Sequence, residues 1–180
     1  EVEVGLALRC GNPARDGKIY KLRYEGMEVE LEREPGVIRQ KYHTPYGTVV
    51  YGQIAAGGAT KEWIEGGLPL EHPIKTAEDY RRWEYVMEHT YYEPCYEDYL
   101  AYEAKVGDDG YPMVSCGDLP FHHYLLHLVG YNDAYFHMMD YANEFEHLMT
   151  VMNQLERERL WPVVLDSPAR MILHGSHFDS

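Results

Sequence analysis

Seven of the ten histidines fall after residue 120, and two of the segments that hold them also carry aspartate. One reads Ser115-Cys116-Gly117-Asp118-Leu119-Pro120-Phe121-His122-His123, and the other reads His174-Gly175-Ser176-His177-Phe178-Asp179-Ser180. Imidazole and carboxylate are the groups wanted for proton transfer near neutral pH, or for holding a hard or borderline metal ion. The candidate catalytic residues are therefore His174, His177 and Asp179, with Asp118 and His122 as candidate substrate-binding residues. Their expected roles are substrate orientation and proton transfer. The metal stays unknown at this level, because the three-residue spacing of His174 and His177 does not fix a shared face in a loop.

Each of these residues has a purely structural alternative. His122 and His123 are adjacent and diverge on a helix, so at most one faces a pocket. Asp118 can cap the helix that follows it. His127, His137 and His147 fall on helical segments and read as packing residues, and Met138, Met139, Met149 and Met152 read as core. Asp108-Asp109-Gly110 is a turn whose carboxylates lack the alternate spacing of a calcium loop. The chain contains no Gly-x-Gly-x-x-Gly, no Gly-x-x-x-x-Gly-Lys, no Gly-x-Ser-x-Gly and no His-Glu-x-x-His.

The elements that must position these residues change character along the chain. Val2 to Leu8, Ile19 to Tyr24, Met27 to Leu31 and Thr48 to Ile54 are short β-branched or apolar stretches broken by Gly-Asn-Pro, Asp-Gly, Pro-Gly and Pro-Tyr-Gly. They predict an antiparallel β-hairpin unit over residues 1–56, with Ile19, Leu22 and Tyr24 on its buried face. Residues 57–180 take helical spacing after Pro73. Thr76 with Asp79 caps a helix carrying Tyr80, Trp83 and Met87, a second helix starts near Pro94, and Asn143 opens a third with Phe145, Leu148, Met149, Met152 and Leu155 on one stripe. Pro112–Cys116 and Met171–Leu173 are short strands separated by helical sequence, the pattern of parallel β-α units. In such units the loops after the strands' carboxyl ends hold the site, so Asp118, His122, His174 and His177 are expected around one concavity.

Composition narrows the function classes. Sixteen Lys and Arg against thirty Asp and Glu give a net charge of -14 over 180 residues, which argues against nucleic acid and anionic membrane as partners. No apolar run approaches the ~18 residues of a membrane span, and the first residues lack the basic and apolar regions of a signal peptide. Three widely spaced cysteines without a Cys-x-x-Cys pair read as free thiols. A cytoplasmic protein acting on a small molecule is the expectation.

Four segments in fixed order, Thr44-Pro45-Tyr46-Gly47-Thr48-Val49, His72-Pro73-Ile74-Lys75-Thr76-Ala77-Glu78-Asp79-Tyr80, Gly117-Asp118-Leu119-Pro120 and Leu173-His174-Gly175-Ser176-His177-Phe178-Asp179-Ser180, resemble the uroporphyrinogen decarboxylase superfamily, nearer its corrinoid-dependent methyltransferase-like branch. The resemblance implies an incomplete (β/α)8 (TIM) barrel, an α/β fold with the N-terminal β-hairpin unit as an insertion. The chain, which opens on Glu1 and stops at Ser180, is then expected to be a fragment. It implies methyl transfer from a small methylated compound with a corrinoid protein as partner, or, as the alternative, porphyrinogen decarboxylation by a lyase. A catalytically silent barrel-type binding protein is the third reading. The branch's zinc is held by a His-x-Cys motif and a later Cys, and the decarboxylase's carboxylate-binding stretch is Arg-Gln-Ala-Gly-Arg-Tyr; neither occurs here. No cofactor is therefore demonstrable in this segment, and zinc and the corrinoid partner belong to what the resemblance implies for the full-length protein.

Overall fold

The computed structural model describes residues 7–9, 19–54 and 68–175, and for 7–9 the backbone alone. Among these residues it is a mixed α/β fold with three open sheets. The antiparallel sheet is a meander of β3 (Glu28–Glu34), β4 (Val37–Thr44), β5 (Gly47–Ile54) and β6 (Leu68–Glu71). Turn chemistry sets its register. Pro35 is followed by Gly36 at φ 77° between the paired Glu34 and Val37, the left-handed position that glycine takes without a Cβ clash. At the next turn the Thr44 hydroxyl donates to the Gly47 carbonyl at 2.7 Å and accepts from the Tyr46 N–H at 3.1 Å.

β2 (Tyr20–Tyr24) pairs antiparallel with β7 (Thr90–Pro94). The Thr90–Pro94 strand falls where the sequence pattern passes from one helix to the next, and its Tyr91-Tyr92 pair is the β-forming feature within it. Ile19 is buried as expected, but Leu22 is exposed, because β2 has a single partner and this side of the ribbon is uncovered.

The third sheet is parallel: β1 (Ala7–Arg9) lies beside β8 (Tyr111–Ser115), which lies beside β9 (Met171–Leu173). This corrects the reading of Val2 to Leu8 as part of the antiparallel unit. The described part of that segment, Ala7 and Leu8, belongs to the parallel sheet, where the short run Ala7-Leu8-Arg9 pairs with Tyr111-Pro112-Met113. The parallel return of β9 to β8 across the intervening helices is as expected. The three strands form an open sheet rather than a closed barrel among the described residues.

Helix α1 (Ala77–Glu88) starts at the expected Thr76–Asp79 box. The Asp79 carboxylate accepts from the N–H groups of Lys75 and Thr76 at 3.0 and 2.9 Å, and these bonds together with Arg82 hold it below its ordinary range against the cost of burial. α2 (Glu97–Val106) begins three residues after Pro94. α3 (Pro120–His123) runs into a π-helical turn at Tyr124–Leu128, followed by α4 (Tyr131–Asp140) and α5 (Ala142–Leu155). A second π turn, Glu156–Leu160, leads into α6 (Trp161–Leu165).

The larger core joins the meander to the helices through Tyr42, Val49, Tyr80, Trp83, Tyr124, Leu148 and Met152. Trp83 meets Tyr42 edge to face at 5.4 Å, a geometry that adds about 0.5–1.5 kcal/mol beyond the area buried. A second core, with Ile19, Tyr99, Val114, Cys116, Leu160 and Val164, lies against the parallel sheet. Of the four methionines read as core, Met152 is buried and Met138 and Met149 are partly buried, whereas Met139 is exposed on the outer side of α4.

Candidate functional site

β8 carries its buried Pro112 and Val114 into the interior and releases the chain at Gly117, whose φ of 88° turns it toward α3. Pro120 then occupies the first helical turn, where its missing N–H costs nothing. The N-cap is Leu119, without a side-chain cap bond. Asp118 instead faces imidazoles: Oδ1 lies 3.5 Å from His122 Nδ1 and Oδ2 lies 3.3 Å from His127 Nε2.

Each imidazole is held from a different element. The other nitrogen of His122, Nε2, lies 3.0 Å from the Tyr131 hydroxyl at the start of α4. His127 Nδ1 lies 2.7 Å from the hydroxyl of Tyr51, on β5 of the antiparallel sheet. Burial pushes the Tyr51 phenol up to about 12, so it stays protonated beside His127 Nδ1. The His127 carbonyl lies 3.1 Å from His72 Nδ1. His72 in turn fills the space a side chain at Gly130 would need, since a Cβ there would stand 2.6 Å from His72 Nε2, at a backbone φ of 89°. The His123 ring lies 5.0 Å from that of His127, and burial holds it far below the ordinary histidine range, with His127 adding and Asp118 opposing. It is a neutral ligand or base at pH 7.

His123 and His127 are four residues apart, a spacing that puts both rings on one face of a helical run. The Val129 N–H bonds to the Tyr124 carbonyl at 3.1 Å, five residues back, so a wide turn spans Tyr124–Leu128 and contains His127. Such turns recur at functional sites in helices. Sequence spacing alone placed His127 among packing residues, and a widened turn has no signature in hydrophobic period. His137 is a packing residue, buried beside Tyr80, and His147 is a surface residue, an exposed partner of Glu84 at 2.7 Å.

The loops after β8 and β9 are tied together, with the Cys116 N–H donating to the Leu173 carbonyl at 2.9 Å and the Gly175 N–H to the Gly117 carbonyl at 3.0 Å. Asp118 and His174 thus follow neighbouring strand ends. Asp118 joins His122 as the sequence suggests, but His174 turns to other partners: its Nε2 lies 3.5 Å from Glu156 Oε2 and its ring stands edge-on to Trp161 at 5.0 Å. Burial raises the Glu156 carboxyl, and His174 beside it opposes that. His177 and Asp179 lie outside the described residues. The thiols offer little for a metal, since Cys95 and Cys116 are buried and free and burial pushes Cys116 up to about 11. A shallow depression between α1 and α5, lined by Glu78, Arg81, Glu84 and His147, lies on separate elements from this cluster.

Comparison of the chain with protein-family models, with curated proteins and with solved structures finds no match. No helix among the described residues is long and apolar enough to cross a membrane.

Proposed function

We propose that this chain contributes the early strands and helices of a (β/α)8-barrel enzyme of the uroporphyrinogen decarboxylase superfamily, which moves a methyl group from a small methylated compound to a corrinoid protein. The observation that supports it most is the parallel β8–β9 pair with Asp118 and His174 just past the two carboxyl ends, the end at which β/α enzymes assemble their sites. The corrinoid, carried by its own protein, supplies the nucleophile that accepts the methyl group. The work left to this chain is orientation and proton supply. When the methyl group departs, the heteroatom it leaves takes up a proton. His122, paired with Asp118, and His174, paired with Glu156, are the imidazole–carboxylate pairs just past the two strand ends that would deliver one.

The thiolate zinc site implied by the resemblance does not fit these residues, because the chain has no His-x-Cys and Cys116 is buried with a raised pKa. Methyl transfer is favoured over porphyrinogen decarboxylation by the composition of the cluster. Imidazoles, phenols and one carboxylate suit proton transfer, whereas a polycarboxylate substrate calls for guanidinium groups.

The test is methylcobalamin formation from reduced cobalamin, with purified protein and panels of methoxylated aromatics, methylamines and methylated thiols. One donor class should be consumed, and His174→Ala should cut turnover by at least 10-fold while His147→Ala leaves it unchanged. Release of CO2 from uroporphyrinogen without methyl transfer would replace this reading with the decarboxylase. Donor binding without turnover would replace it with a silent binding protein.

A further inference from the structure

We infer that Asp118, His123 and His127 form a site for one divalent transition-metal ion of the zinc class. Each residue offers one donor atom, and the three atoms lie within 4.8 Å of one another. A tetrahedral ion bound at about 2.0–2.2 Å separates its donors by about 3.3–3.6 Å. The 3.3 Å from Asp118 Oδ2 to His127 Nε2 already has that span.

Three independent features of the fold point the same way. First, His127 is oriented through its other nitrogen by the Tyr51 hydroxyl at 2.7 Å, from a strand 76 residues away in sequence. Ligating histidines are held by such outer partners, and the hydroxyl can accept the Nδ1 proton once Nε2 binds metal. Second, His123 and His127 stand four residues apart on one helical run, the spacing that sets two side chains on one face. His72 fixes the backbone carbonyl of His127. Third, the site is open on one side: the side chains of Asp118 and His127 keep 19% and 24% exposure.

The donor set selects the ion. Two imidazoles and one carboxylate are borderline ligands that suit Zn2+ or Fe2+, whereas Mg2+ and Ca2+ require an oxygen shell. Three protein ligands with an open fourth position are the arrangement of a reactive metal rather than a structural one. The ion would polarise a bound water or a substrate heteroatom at the end of β8.

The experiment uses untagged protein, stripped with a chelator and titrated with Co2+, whose visible absorption reports coordination number. The expected result is one Co2+ per chain with the bands of a four- or five-coordinate ion, displaced by Zn2+ and not by Mg2+ or Ca2+. Asp118→Asn, which preserves shape, and His127→Ala should each weaken binding by more than 100-fold. Tyr51→Phe should weaken it by about 10–100-fold, and His147→Ala should leave it unchanged; circular dichroism verifies that each variant is folded. Folded wild-type protein that takes up no stoichiometric Co2+, or wild-type affinity retained in Asp118→Asn and His127→Ala, would overturn the site. Metal binding without methyl transfer would refute the reaction proposed above and leave the metal site standing, so the two fail separately.

Discussion

Two imidazole clusters share the helical segment around Tyr124, and they are built from nearly the same residue types. In one, the Tyr80 hydroxyl lies 2.8 Å from that of Tyr124 and 3.2 Å from His137 Nδ1, all within the larger core. Burial raises both phenols and lowers the imidazole, so every member is neutral at pH 7 and the network is closed. In the other, Asp118 draws His122 and His127 toward a carboxylate that keeps part of its surface in solvent. A histidine in a neutral, satisfied network holds the core together. A histidine aimed at a partly exposed carboxylate is available for a ligand or a proton.

The comparison can be broken most sharply at its closed half. Tyr80→Phe leaves the Tyr124 hydroxyl and His137 without their shared partner, so a loss of about 1–3 kcal/mol is expected. Urea unfolding measures it, and Co2+ affinity should be unchanged. A combined loss of stability and metal binding would mean that the two clusters are one unit.

The second expectation concerns pH. His137 is held below its ordinary value by burial, with Asp133, Asp140 and Asp79 opposing. The unfolded chain therefore binds a proton that the folded one refuses. Its contribution to stability is complete above about pH 6.5 and falls as the pH drops below that, by at most about 1.4 kcal/mol per pH unit. Urea midpoints between pH 7.5 and 5 should fall for wild type and fall less steeply for His137→Leu, the remaining slope coming from His123, which burial also holds low; parallel curves would assign the acid sensitivity elsewhere.

The smallest effect belongs to His147. Its pair with Glu84 raises its pKa, but the side chain is 67% exposed. His147→Ala should change stability by less than about 0.5 kcal/mol, an effect that shrinks further in salt. A larger change would mean that exposure is a poor guide to which histidines matter here.

The sequence made some of this legible and hid the rest, for physical reasons. The Thr76–Asp79 box and the strand Met171–Leu173 rest on local chemistry and short-range pattern and stand as read, and the strand read as Pro112–Cys116 runs one residue earlier, Tyr111–Ser115. Thr90–Pro94 and the parallel placement of Ala7–Arg9 depend on partners far away in the chain, which local pattern does not encode. Asp118 and His122 were singled out because they follow a strand end, and the structure brings the two together. His127 was read as a packing residue, because its approach to Asp118 and to Tyr51 from another sheet joins residues far apart in the chain. His174 was visible, but Glu156, its partner, reads in sequence as one of a run of water-facing charges.

The central claim is that the open cluster is a metal site, and anomalous diffraction from crystals saturated with Zn2+ tests it most directly. The account predicts a single strong peak at about 2.0–2.2 Å from a carboxylate oxygen of Asp118 and from one ring nitrogen each of His123 and His127. A peak at other residues, or none while these three side chains stay apart at saturating Zn2+, would contradict it.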